Sequence, residues 1–259
     1  MSRPASHDVL YVGYHPVGPP WVARIGRRVV VAVASLVGIA ALARAAGQGP
    51  VSANRFEYGE FRDFEGLVVA RPVPALLVPR PGRTEREAAY SRYVLVGEGK
   101  HGVGPIVNDL DAHLVHLRGH LLYRENQTML EIVTGSMATL PGPSAAVPVP
   151  AEVGELGSVT ITGEIVDSKC FLGAMNPATR TIHRGCAVRC LSGGLPPLVV
   201  VRDTAGVAAY LYLTGPKGEA VNRSILHLVG VPVTITGRVE RRGDLLVLLT
   251  DPTSIHRIS

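Results

Sequence analysis

All three cysteines of this 259-residue chain lie close together, at Cys170, Cys186 and Cys190, and His183 stands three residues before Cys186. A C-x15-C-x3-C spacing with an internal histidine offers three thiolates and one imidazole. That is a tetrahedral set suited to zinc, or to copper(I) because the ligands are soft. If residues 183–190 wind helically, His183, Cys186 and Cys190 share one face at i, i+3 and i+7, and Cys170 closes the site from a strand end. The same residues also fit a disulfide staple, Cys170 with Cys186 or Cys190, which leaves one thiol over in an oxidising compartment. Thiol exchange is a third reading, with Cys186 or Cys190 attacking that bridge, although C-x3-C is not the C-x2-C of thioredoxin-like motifs. Asp167 and Lys169 flank Cys170, while Arg184 and Arg189 surround the other two cysteines. Nearby cations favour thiolate over thiol, which helps metal capture and exchange alike. The spacing marks a site and leaves its chemistry open.

The elements that must position this cluster read as short strands. Residues 158–167 alternate Val159, Ile161, Gly163 and Ile165 on one face and form a first strand. A long loop at 168–197 carries the cysteines. Strands follow at Leu198–Arg202 and about 207–213. Val221, Ile225, Leu228 and Val229 then mark a short amphipathic helix, and two strands surround Gly243-Asp244. Three strands, a helix and two strands is the order of an OB-type five-stranded barrel. An earlier segment has the same layout. Val115–Arg124 with Gly119 mid-strand parallels Val233–Arg242 with Gly237, and Phe64-Glu-Gly66 parallels Ile161-Thr-Gly163. A mid-strand glycine is what a small barrel needs at a bend. The expected body is therefore two tandem OB-like barrels, at 57–135 and 157–259, joined by a Gly/Pro/Ala linker at 136–156.

Upstream, residues 29–43 carry no charge, and crossing Arg44 extends the apolar run to Gly47. About 20 such residues span a bilayer, and a terminal Arg can snorkel. Residues 1–28 hold Arg3, Arg24, Arg27 and Arg28 against Asp8, whereas 48–65 are net acidic. Positive-inside logic then predicts a cytoplasmic tail at 1–28, a transmembrane helix at 29–47 and an exported body. The expected location is a bacterial inner membrane, single-pass, with the C-terminal domains periplasmic. An uncleaved anchor is favoured by the long tail with Tyr11, Tyr14 and the Pro16, Pro19, Pro20 cluster. Ala43-Arg44-Ala45 also fits a cleavage site, and Arg27-Arg28 permits a twin-arginine signal. Both readings export the body.

Once the tail is set apart, most of the formal charge of +5 is gone and the body is near neutral. Three Lys among 26 basic residues is the codon bias of a GC-rich genome. Aromatics are only 5%. A nucleic-acid partner is therefore not expected, despite the OB-type order, because phosphate neutralisation and base stacking both lack their residues. Gly97-Glu-Gly99-Lys100-His101-Gly102-Val-Gly104 is not a P-loop, since no Ser or Thr follows Lys100. It reads as a flexible loop that could present Lys100 and His101 to a partner. His113, His116 and His120 read as a surface row, with 116 and 120 on one side of a strand and 113 on the other. Ser136 and Ser192 sit in no nucleophile motif, which gives little support for a hydrolase.

The motif D-x-K-C-F-L-G…H-x-x-C-A-x-x-C-x-x-G-G-x-P, running from Asp167 to Pro196, resembles a loop of uncharacterised bacterial exported or membrane-anchored proteins. In that family a small OB-like domain carries the loop, and the resemblance covers residues 158–256. It implies export and a barrel; it supplies no activity and no cofactor. From the tether, the barrels and the want of a catalytic constellation, the expected function is an accessory or docking subunit of a membrane or periplasmic redox complex. The alternative is a thiol-disulfide or copper-handling protein acting through the cysteine loop.

Overall fold

The computed structural model describes residues 20–47, 54–80, 90–141, 153–204 and 206–258. The chain divides into two compact units, Met1–Val51 and Ser52–Ser259. In the first, helix α1 runs Pro20–Ala46, nine residues further upstream than the expected span. At about 1.5 Å per residue its 27 residues reach about 40 Å, more than a bilayer core needs. It is long and apolar enough to cross a membrane. Tyr11, Tyr14, Pro16 and Pro19 of the tail lie outside the described residues.

The second unit is mainly β. Its first half contains β1 (Asn54–Phe56), β2 (Arg62–Val69), β3 (Ala75–Pro79), β4 (Tyr90–Gly97), helix α2 (Gly104–Asn108), β5 (Leu114–Arg124), β6 (Gln127–Ile132) and β7 (Ala138–Thr139). The order β2-β3-β4-β6-β5 closes on itself, because β5 pairs with both β2 and β6. The result is a closed five-stranded barrel in which only β4 and β6 run parallel. Gly119 is where β5 passes from one neighbour to the other: it faces Arg62 of β2 and Ile132 of β6. A Cβ there would stand 2.4 Å from the Glu131 carbonyl oxygen, so the strands can cross this closely only over glycine.

The second half contains β8 (Val153–Asp167), α3 (Arg180–Ser192), β9 (Pro197–Asp203), β10 (Gly206–Thr214), α4 (Asn222–Ile225), β11 (Pro232–Arg242), β12 (Leu245–Leu249) and β13 (Ile255–Arg257). Here β12 pairs with β10 in parallel and with β11 antiparallel, while β8 pairs with β9 and β11. Gly237 occupies the position in β11 that Gly119 holds in β5. A Cβ on it would stand 2.6 Å from the Leu249 carbonyl oxygen.

Two sequence boundaries need correction. The expected linker is shorter than 136–156: Ala138–Thr139 add a strand to β5, and Val153–Leu156 belong to β8. Residues 142–152 lie outside the described ones. The loop at 168–197 is not a loop but a π-helical turn at Cys170–Ala174 followed by the 13-residue α3. The two halves also share one apolar core. Val94, Val96, Leu122 and Met129 of the first pack with Val166, Phe171, Leu172 and Val247 of the second. Burying such side chains contributes about 1.5–3 kcal/mol each, which makes the halves a single body.

Candidate thiol and metal site

Strand β8 ends at Asp167, and the chain turns at once into the π-helical turn that begins with Cys170. The Asp167 carboxylate is fully buried. Its Oδ1 accepts the backbone N–H of Cys170 at 2.8 Å, and its Oδ2 lies 3.1 Å from His183 Nε2 on α3. One carboxylate thus fixes both the turn that carries the first cysteine and the imidazole that faces it. On α3, His183, Cys186 and Cys190 do share a face, and His183 and Cys190 are buried while Cys186 is half-buried.

The sulfurs of Cys170 and Cys186 are 3.9 Å apart. Two overlapping groups of ligand atoms form around Cys170: Cys170, His183 and Cys186, and Asp167, Cys170 and Cys190, each with its members within 4.8 Å of one another. Cys170 is common to both groups: His183 and Cys186 join it in one, Asp167 and Cys190 in the other. All three cysteines are free thiols, with no disulfide between them.

The cation at this cluster is neither of the arginines expected there. Arg184 donates to the His227 carbonyl and Arg189 is exposed, because both project away from the helix face that carries the cysteines. Lys100 supplies the charge instead. Its Nζ donates to Cys186 Sγ at 2.8 Å and lies 3.8 Å from Cys190 Sγ. From the sequence Lys100 could be presented to a partner; in the structure it hydrogen-bonds this chain's own thiol. His101, beside it, is exposed and touches no sulfur. The 97–104 segment is far from a free loop. Lys169 sits beneath it, 4% exposed, and its ammonium donates to the carbonyls of Gly97 and Gly99 at 2.9 and 2.7 Å and pairs with the buried Glu131. An ammonium has three donors and all three are used, which offsets the desolvation of this buried pair. On the other side Gly102 N–H donates to the Gly193 carbonyl at 2.9 Å, at the end of α3. The Lys of the D-x-K-C motif thus reaches across to fasten the segment that brings Lys100 to the cysteines.

The electrostatics follow from these contacts. The neighbouring Cys190 sulfur, burial and the Asp167 charge hold the Cys170 thiol far above the ordinary range. The Cys170 thiol lowers Cys190 in return, helped by the Lys100 charge. Lys100 is raised in turn, first by its bond to Cys186. The cluster thus pushes the two buried thiols apart, Cys170 up and Cys190 down, with the Lys100 ammonium beside the Cys190 sulfur.

The thiols open on a cleft of about 530 Å³. Phe56, Tyr58, Phe61 and His120 line it together with Glu98, Lys100 and Glu131. His120 is not part of a surface row. It is 4% exposed because Phe61 and Tyr58 fold over its ring, at centroid distances of 4.3 and 5.7 Å. His116 lies beside Asp63 instead, and His113 hydrogen-bonds the Asp111 carbonyl. The pairing of Lys100 with the cysteines joins residues 86 positions apart, so no local spacing could have announced it. No protein-family model and no curated protein matches the chain.

Proposed function

We propose that this chain is a membrane-tethered protein whose cysteine centre holds a soft or borderline metal ion, copper(I) or zinc. Cys170, Cys186 and His183 are the ligands, with Cys190 in reach. The observation that carries this reading is the 3.9 Å separation of the Cys170 and Cys186 sulfurs, with a His183 nitrogen close to both. Two sulfurs each about 2.3 Å from one tetrahedral ion stand about 3.8 Å apart, whereas a disulfide would hold them at about 2.0 Å. Asp167 on His183 Nε2 supports it further, since a carboxylate behind a ligating imidazole fixes its tautomer and leaves Nδ1 for the ion. Lys100 offsets the negative charge that several thiolates leave around a cation.

Around this centre we place two OB-like barrels on the periplasmic side of an inner membrane, anchored by α1. The second barrel is supported by the pairing cycle β8-β9-β10-β12-β11, which follows the order of the closed one. Tyr58, Phe61 and Met175 stand exposed at the cleft mouth, which supports a role as accessory to a larger membrane or periplasmic redox complex. Metal analysis of the full chain purified without oxygen tests the reading. About one equivalent of copper or zinc is expected, lost in Cys170→Ser and in Cys186→Ser. Three titratable thiols in a folded chain that takes up neither ion would overturn it; a Cys170–Cys186 disulfide that cycles with a thiol reductant would replace it with thiol exchange.

A further inference from the structure

We propose that Lys100 and Cys186 form a covalent nitrogen–oxygen–sulfur bridge when the metal-free protein meets dioxygen. The pair is delivered by a dedicated scaffold. Lys169 and Glu131 hold the segment from below, and the Gly102–Gly193 backbone contact holds it from α3. Among the described residues the hydrogen-bonding partners of the Lys100 ammonium are two sulfurs, Cys186 at 2.8 Å and Cys190 at 3.8 Å. Both Lys100 and Cys186 line the cleft, so a small oxidant reaches them without any opening of the core.

Distance decides between the two oxidations open to Cys186. Closing a disulfide with Cys170 requires the sulfurs to move from 3.9 Å to about 2.0 Å, and Cys170 is buried in the π-helical turn that Asp167 anchors. A bent N–O–S linkage, two single bonds at one oxygen, spans slightly less than the present 2.8 Å gap. One oxygen atom can therefore be inserted with almost no movement of either residue. The balance is complete with dioxygen alone. The Lys100–Cys186 pair, with the three protons its nitrogen and sulfur hold between them, and one O2 give Lys–NH–O–S–Cys and one water. Nitrogen and sulfur together lose four electrons, one oxygen atom stays in the bridge, and the other leaves as water with two of those three protons. The bridge removes Cys186 from the ligand set, so it makes metal capture sensitive to oxygen. It stands on the placement of Lys100 and is independent of the metal reading.

The test is peptide mapping by mass spectrometry of the full chain, purified reduced and metal-free, then held under air or under argon. Under air, the peptides containing Lys100 and Cys186 are expected as one cross-linked species carrying one added oxygen and two fewer hydrogens. Dithiothreitol releases both unmodified peptides, and the species is absent under argon and in Lys100→Arg, whose guanidinium keeps the charge. If air instead yields the Cys170–Cys186 disulfide, sulfinic acid at Cys186, or unlinked unmodified peptides, the inference is overturned. Uptake of added zinc or copper(I) by the argon sample is read separately, so loss of one proposal leaves the other standing.

Discussion

Replacing Gly193 by alanine isolates the contact that holds the lysine segment against α3. Gly193 closes α3 with φ −78° and ψ 0°, ordinary helical angles, so alanine meets no backbone strain there. The obstacle is purely steric: an added Cβ would lie 1.9 Å from the Lys100 carbonyl oxygen. Real Cβ contacts do not fall under 3.0 Å, so the segment or the helix end must yield by more than an ångström. Overpacking of this kind costs about 1–3 kcal/mol. For a folded unit of this size that corresponds to a fall of about 2–12 °C in Tm. The same displacement carries Lys100 away from the thiols, so Cys190 loses a cation that lowers it and its alkylation midpoint moves up in pH. Gly104→Ala is the control, on the same segment, with nothing within 4 Å of the added atom; it is expected within about 0.5 kcal/mol of the parent. Thermal unfolding and pH-resolved iodoacetamide labelling of both variants read the result. Equal Tm and equal labelling profiles for the two alanines would refute the close-approach argument.

Three further outcomes are expected. Removing Lys169 with Lys169→Met leaves Glu131 buried without its partner and costs about 3–5 kcal/mol in denaturant unfolding, while Lys169→Met with Glu131→Leu recovers much of it. Asp167→Asn loosens the hold on His183 and weakens metal binding about 10–100-fold in chelator competition, and an unchanged affinity removes His183 from the ligand set. The pH dependence of the metal-free cluster has two limbs, since Cys190 is lowered and Lys100 raised. Stability from Cys190 is full above the unfolded thiol value and lost as pH falls through its lowered one. Stability from Lys100 is full below its unfolded value and lost as pH rises through its raised one. Labelling of Cys190 therefore persists below the free-thiol range, Cys170 labels last, and Lys100→Met shifts the Cys190 profile upward.

Much of the architecture was legible because barrel strands announce themselves locally. Alternation placed β5, β6, β9, β10, β11 and β12 within a residue or two, and Gly119 and Gly237 stood out because glycine inside an apolar strand has few other reasons to occur. The helical face of His183, Cys186 and Cys190 was also readable, being a matter of local period. What sequence reasoning missed is what distance along the chain conceals. Lys100 and Cys186, or Lys169 and Glu131, meet only after two halves have packed, and charge next to a cysteine in sequence pointed wrongly to Arg184 and Arg189. His120 was misplaced for the same reason, since its burial depends on Phe61 and Tyr58 from another strand connection. The π-helical turn at Cys170 carries no pattern of its own and follows from the Asp167 bond to the Cys170 amide.

The shared core has a consequence for how this protein is made. The thiols arrive with the second half of the chain, whereas Lys100, Glu131 and His120 arrive with the first. During synthesis the lysine–thiol contact cannot form until both halves have emerged and docked, so that contact marks a finished molecule. A chain cut between residues 142 and 152 would give two fragments, and only mixing them would rebuild the lysine–thiol contact.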